Sequence, residues 1–587
     1  MKRLLSIVTI LTAALSFVML VVVGQSAAQS PKEVGDKRGS SISGRIVNES
    51  GNPIPNARVV VNGVARQPVR RTITADEEGR FVADELPRGN YLIFGQASGY
   101  VQATNPGDTV YHKPGDTVNL ILKKGGVVAG TVTTSDGEPV VCVPVMATQV
   151  LDQFGRRSGN NYGLLRYTDD HGAYRLFGLP AGTYIVAAGS TAFRSGFSVY
   201  EDIIPTYYPS STRDTAAEIV VQNGAETNGI DIRYRGETGH TISGKVIDQI
   251  IPEGLGLIGN FSVAVMRTSD DRTEAQSSPR FMINDTGFSI LGVPDGDYYL
   301  IARRGPSQGY DGAESKPVPL KVKGHDVTGV AINLVPLGSL SGRLILDIAT
   351  KNLKCETKVA PAVEETMITM SSDDSNQTGP PARVPMAGGS PDQDGEFVFQ
   401  GLSPGRYRID PRLLLDESWY IKTVTVPSPT NTPVDAGGSG ITVRSGQRTN
   451  GVRVVLGQGA ASIRGRVLPE KEGASLPDRL RVYLVPSEQS SAEDLLRYIE
   501  ADVQTDGSFK LLNAAPGKYW LVARLLPEED LKMRVPRPQA WKSSSRAALR
   551  REASAANAAI EVKPCQRVSD FQVRYSPPKE AVTPKRQ

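Results

Sequence analysis

The stretch DDHGAYRLFGLPAGTYIVAAG, residues 169–189, alternates apolar with small or polar side chains, breaks at Pro180 and Gly182, and alternates again from Tyr184. Period-two alternation on both sides of a Pro and Gly break is how two short strands joined by a turn are written, and it reads as a hairpin. His171 beside Asp169 and Asp170 raises a competing reading, a chemical site. Copies elsewhere in the chain decide between the two.

The pattern returns as EEGRFVADELPRGNYLIFGQA from Glu77, DTGFSILGVPDGDYYLIAR from Asp285, QDGEFVFQGLSPGRYRID from Gln393 and TDGSFKLLNAAPGKYWLVAR from Thr505. In each copy an aromatic residue (Phe81, Tyr174, Phe288, Phe397, Phe509) stands ten positions before a tyrosine (Tyr91, Tyr184, Tyr298, Tyr407, Tyr519), with a glycine two before that tyrosine. His171 takes the place held by Glu78 and Asp506 in sister copies, so it reads as a turn residue rather than a catalyst. Upstream of each copy lies a strand of the type SISGRIV, VVAGTVT, TISGKVI, SLSGRLI or SIRGRVL. Downstream lies a closing strand, in GDTVNLIL, ETNGIDIRY, DVTGVAINL, RTNGVRVVL and RVSDFQVRY. The repeat is therefore a whole domain, in units of 86 to 123 residues, too long for a solenoid and the ordinary size of a β-sandwich.

The reading is all-β: five tandem sandwiches over residues 40–125, 126–237, 238–337, 338–458 and 459–576, the last with a helical insert at 539–559, then a basic disordered tail at 577–587. Residues 491–503, SAEDLLRYIEADV, also read as a helix, from a Ser cap and early acids. Ahead of the array, Lys2 and Arg3 precede an apolar run from Leu4 to Gly24 and then Ser26, Ala27 and Ala28. This reads as a signal peptide over 1–28 cleaved after Ala28, or as an uncleaved N-terminal anchor, with a linker at 29–39. No cysteine follows the run, which leaves out a lipoprotein anchor. The expected location is periplasmic, outer-envelope or secreted.

With 66 basic and 62 acidic residues interspersed for a net charge of +4, no strong overall field recruits nucleic acid. The 59 Gly and 40 Pro fit turn-rich β domains. Cys142, Cys355 and Cys565 allow at most one bridge, so each domain must be held by its own core.

The first-strand SGxV pattern, the DGxF turn and the LPxGxY segment together resemble the carboxypeptidase regulatory-like family, the transthyretin-like or prealbumin-like sandwich related to the B-type repeats of collagen adhesins. The resemblance implies a seven-stranded Greek-key sandwich and an extracytoplasmic accessory or binding role. It implies no catalytic residues, because peptidases that carry this domain keep their zinc chemistry elsewhere.

No catalytic, metal or cofactor site is expected. GLGLIG at 254–259 and GHTISGKV at 239–246 lack the strand-to-helix context of a nucleotide loop. Ser307 in GPSQG has no helix after it. None of the four histidines begins a zinc motif, and DQDG at 392–395 lacks the later acids of a calcium loop. An isopeptide bond between Lys245 and Asn333 would have no counterpart in the other units. Binding is the live alternative: Tyr207, Tyr208, Trp419 and Tyr420, with Trp541, lie in inserts where loops could offer rings to a polysaccharide. The other partner expected is an envelope protein for which the chain is an accessory subunit or spacer.

Overall fold

The computed structural model describes residues 40–577 apart from 65–68, 103–109, 156–164, 190–198, 249–260, 268–279, 282–285, 307–310, 349–354, 356–361, 373–386, 413–417, 429–431, 472–473, 478 and 527–540. The leader, the 254–259 glycine loop, Ser307 and nearly all of the basic tail lie outside the described residues.

Five separate apolar cores run along the chain, spanning Ile42 to Leu122, Val128 to Ile232, Ile242 to Leu334, Leu340 to Leu456 and Ala461 to Tyr575. Each is enclosed by strands, and the protein is an all-β array of sandwiches. The first unit shows the plan most simply. A four-stranded sheet orders Arg80–Ala83, Ile42–Asn48, Thr117–Lys124 and Tyr100–Gln102, and a three-stranded sheet orders Arg70–Thr74, Arg58–Gly63 and Tyr91–Gln96. First and closing strands pair in parallel, Gly44 opposite Val118, and the parallel pairing recurs in every unit. In the third unit the short strand Ala313–Ser315 pairs with both Gly296–Arg304 and Val327–Pro336, joining the two sheets at one edge.

The segment read as a hairpin is a crossover. Ala173–Leu179 pairs with the first strand Gly126–Thr133, whereas Gly182–Ala188 pairs with Pro144–Asp152 in the other sheet. The sister copies do the same, so the Pro and Gly turn carries the chain from one sheet to the facing one. Tyr174, Leu176, Tyr184 and Val186 thus meet across the core rather than side by side. Alternation supplies the inward face in either arrangement, which is why the sequence alone reads the same.

The crossover explains why the second aromatic is always tyrosine. Each hydroxyl donates to the carbonyl four residues back, Tyr91 to Pro87, Tyr184 to Pro180, Tyr298 to Pro294, Tyr407 to Ser403 and Tyr519 to Ala515, at 2.7–2.8 Å. The ring fills the core while its hydroxyl pins the turn. Burial pushes the hydroxyls of Tyr298 and Tyr519 up to about 12, against about 10 in an unfolded chain. A raised folded pKa favours the protonated native state, so this stabilisation is complete below about pH 10 and is lost as pH rises through about 12. Tyrosinate absorbance should therefore rise in two stages, exposed rings first and buried rings together with loss of the β circular dichroism signal. A single stage near pH 10 with the fold intact would contradict the bonds.

The second expected helix is not formed. Residues 491–503 instead hold the 3-10 turns Gln489–Ser491 and Leu495–Arg497 and the strand Ile499–Asp502. Asp494 accepts the Leu496 N–H, which caps a single turn, and the following residues join the ladder of Leu480–Pro486. There the buried Arg481 binds Glu500 at 2.8 Å and Asp502 at 2.7 Å, a tertiary gain that outweighs local helix propensity. The insert helix does form, as Ser543–Ala556, and docks Leu549 and Ala553 on Tyr483, Val485 and Val522.

Candidate functional site

His171 lies at the tip of a turn. Asp169 accepts the N–H groups of His171 and Ala173 at 3.0 and 2.8 Å, so the carboxylate is spent on the backbone while His171 stands exposed at the tip. Asp392 makes the same pair of bonds to Asp394 and Glu396 at 3.1 and 2.8 Å, which gives DQDG a structural role. Among the described residues no three His, Cys, Asp or Glu side chains gather as metal ligands. Residues 239–246 lead into and form the strand His240–Asp248, with Lys245 and Asn333 both exposed on its sheet.

The four candidate aromatic residues fall in two different units and form no common surface. Tyr208 packs on the core of the second unit, and its N–H donates to Val186 at 3.0 Å. Tyr207 ends a two-residue strand on Ala187. Trp419 is not offered by a loop: it opens the strand Trp419–Val426 and is 2% exposed inside the fourth core. Its side chain is apolar bulk at the centre of a sandwich, which removes it as a ligand platform. Tyr420, half-buried, lies on Gly457 and under the Arg497 guanidinium of the fifth unit, 5.7 Å from the ring centroid. Trp541 carries the Arg408 guanidinium at 5.7 Å and accepts from it through its carbonyl.

Tyr420 and Trp541 are therefore joint residues. The joints themselves are tight. Gly125 alone separates the closing strand of unit one from the first strand of unit two, Leu337 alone separates units three and four, and Gly459 with Ala460 separates units four and five. Between units two and three, Gly239 N–H donates to the Asp202 carbonyl at 2.7 Å, and Arg267 meets Asp214 at 2.9 Å. Units three and four share Ser403 on Glu314 at 2.7 Å and Arg448 on Asp311 at 2.6 Å.

The joint between units four and five is the most heavily built. Asn513 donates to the Trp419 carbonyl at 2.8 Å, Leu496 packs on the fourth core, and Cys355 is disulfide-bonded to Cys565. The array also folds back: Asn90 of unit one donates to Ser390 of unit four at 3.1 Å, and Ser390 N–H donates to Val64 at 2.9 Å. Both side chains are at most 3% exposed. Nothing in the sequence marks Asn90 or Ser390, because a contact across 300 residues leaves no periodicity. The cysteine count limited the disulfide to one pair without choosing which.

Two clefts lie at equivalent places, over the first-strand glycine of the last two units. One, of about 750 Å³, includes Gly342, Arg343, Glu396 and Arg453; the other, of about 560 Å³, includes Gly465, Arg464, Arg466 and Lys510.

Residues 41–123 match the family model of the carboxypeptidase regulatory-like domain, so the first sandwich is a domain of that class. The chain is thus a multidomain β-sandwich protein carrying a carboxypeptidase regulatory-like domain. No curated protein matches the chain. Among solved structures it is similar to GBS52, the minor pilin of Streptococcus agalactiae, at 13% identity over 34% of this chain and 97% of that one, TM-score 0.19. It is similar to the shaft pilin SpaA of Lactobacillus rhamnosus GG at 11% identity over 33% of this chain and 96% of that one, TM-score 0.16. It is also similar to the Bacillus anthracis TIE protein at 15% identity, TM-score 0.13, covering 50% of this chain and about half, 51%, of that one.

Proposed function

We propose that the chain is an exported, non-enzymatic scaffold of the bacterial envelope or extracellular space, whose sandwiches act as one stiff body that presents surfaces to an envelope partner. The observation that carries this reading is the use of the insert aromatics between sandwiches: Tyr420 and Trp541 hold the fourth and fifth units together beside the disulfide. Domains on flexible linkers move by default. Here one or two residues join three of the four neighbouring pairs, and side-chain contacts brace the joints from the second unit to the fifth. Export rests on the basic and apolar N-terminal sequence.

Small-angle scattering tests the stiffness. The native chain should give one maximum dimension at low and high salt, equal to that of the structure. Cys565→Ser combined with Arg408→Ala should broaden the distance distribution while the β circular dichroism signal stays, because each core closes without the joint. A native chain that already scatters like freely jointed beads would sink the proposal.

A further inference from the structure

In the fifth unit the outward side of the sheet built on Leu480–Pro486 and Gly517–Leu525 carries Tyr483, Val485 and Val522, and the helix Ser543–Ala556 closes it with Leu549 and Ala553. Arg550 lies over Trp520 on the same face, 5.6 Å from the ring centroid. The repeated tyrosines set the register between units: Pro486 stands opposite Tyr519, and Gly63 stands opposite Tyr91. Val60, Asn62, Leu92 and Phe94 of the first unit therefore hold the places of Tyr483, Val485, Trp520 and Val522.

In the first unit that face is open. Val59 and Ile93 belong to the core, so their strand neighbours Val60 and Phe94 point away from it, and Phe94 is 37% exposed. Arg58 holds the place of Arg481. Where Arg481 is bound by Glu500 and Asp502 of its edge strand, the edge strand Arg70–Thr74 offers Arg58 only Thr72 and Thr74. Arg70 ends the same edge, in the place of Tyr498. Arg58 and Arg70 are both exposed, and no ion pair engages either among the described residues. The sister faces differ: in the fourth unit Arg408, in the place of Leu92, is covered by Trp541, and in the third Ser262 replaces Arg58.

We infer that this open face docks an amphipathic helix of a protein partner, acidic where the helix of the fifth unit is basic. The chain itself shows that the face accepts a helix, with apolar side chains four residues apart seated on the central row. Charge decides which helix the first unit accepts. Tyr498 faces Arg546 and Arg550 of the fifth unit's helix, so arginines there would repel Arg70, and glutamates would pair with it. Arg58 and Arg70 lie four residues apart along the strands, roughly 13 Å. Carboxylates two helical turns apart, about 11 Å, fall within reach of both guanidinium groups. That the helix comes from a partner rests on the scaffold reading above.

The probe is a labelled peptide of residues 541–558 carrying Arg546→Glu and Arg550→Glu, titrated with the full chain by fluorescence anisotropy, with the unaltered peptide as control. The acidic peptide should bind about tenfold more tightly than the control, because attraction replaces repulsion at two exposed sites. Arg70→Glu should reverse that preference, whereas binding in trans to the fifth unit would be blind to residue 70. Phe94→Ser should weaken the acidic peptide. Both substituted residues are exposed, so the β circular dichroism signal should stay. No binding of the acidic peptide, equal binding of the two peptides, or a preference unchanged in Arg70→Glu would overturn the inference. Tighter binding of polygalacturonate, lost in Arg70→Glu, would overturn it in favour of an acidic glycan. The scaffold reading is tested by the scattering of the native chain, so a stiff chain that fails to bind separates the two.

Discussion

Replacing Tyr184 with alanine should destabilise the second sandwich by about 3–5 kcal/mol, the range for removing a large buried aromatic together with the cavity it leaves. The ring is 0% exposed and lies among Tyr174, Val145, Val186 and Ile219, contributed by both sheets. Tyr184→Phe keeps that packing and removes only the hydroxyl that holds the Pro180 carbonyl at 2.8 Å, a loss of roughly 1–2 kcal/mol. Hydrogen exchange on the full chain reads both, since each unit has its own core. In the alanine variant amides of Pro144–Asp152 should lose protection while those of Leu480–Pro486 keep theirs. Equal damage from the two substitutions would move the role from the ring to the hydroxyl, and preserved protection in the alanine variant would refute the packing account.

The repeat makes this residue visible in the sequence. An aromatic, a glycine and a tyrosine at fixed spacing in five copies fix what must lie inward, and Phe81 through Tyr519 are all buried. Pairing partners were not visible, because alternation is the same for a strand bonded to its neighbour and for one bonded across the sandwich. Trp419 failed for a related reason. An aromatic in a segment that the repeat does not account for looks like loop display, yet the strand it begins turns it into the fourth core. The joints were the least legible part: Arg497 on Tyr420 and Asn90 on Ser390 join units that the sequence presents as separate repeats.

Gly465→Ala should cost the fifth sandwich about 3 kcal/mol or more, at the upper end for overpacking. A Cβ there would lie 1.9 Å from the Phe571 carbonyl oxygen and 2.8 Å from the Phe509 ring, so it meets backbone on one side and a buried ring on the other. Neither can yield cheaply. The closing strand also bulges here: the register shifts between Ile463 and Gly465, and Asp570, just before Phe571, takes a left-handed φ of 59°. Gly229, Gly329 and Gly451 hold the same place at φ of 75°, 73° and 77° in the second, third and fourth units. The bulge therefore depends on one residue that tolerates positive φ and one that has no side chain. Asp570→Gly then serves as the opposite substitution: it relieves the left-handed strain and should stabilise the unit by about 0.5–1 kcal/mol. Exchange protection of Arg567–Tyr575 should fall in Gly465→Ala and rise in Asp570→Gly. If both variants kept native protection, the approach of closing strand to first strand would not be the reason a glycine stands in all five first strands.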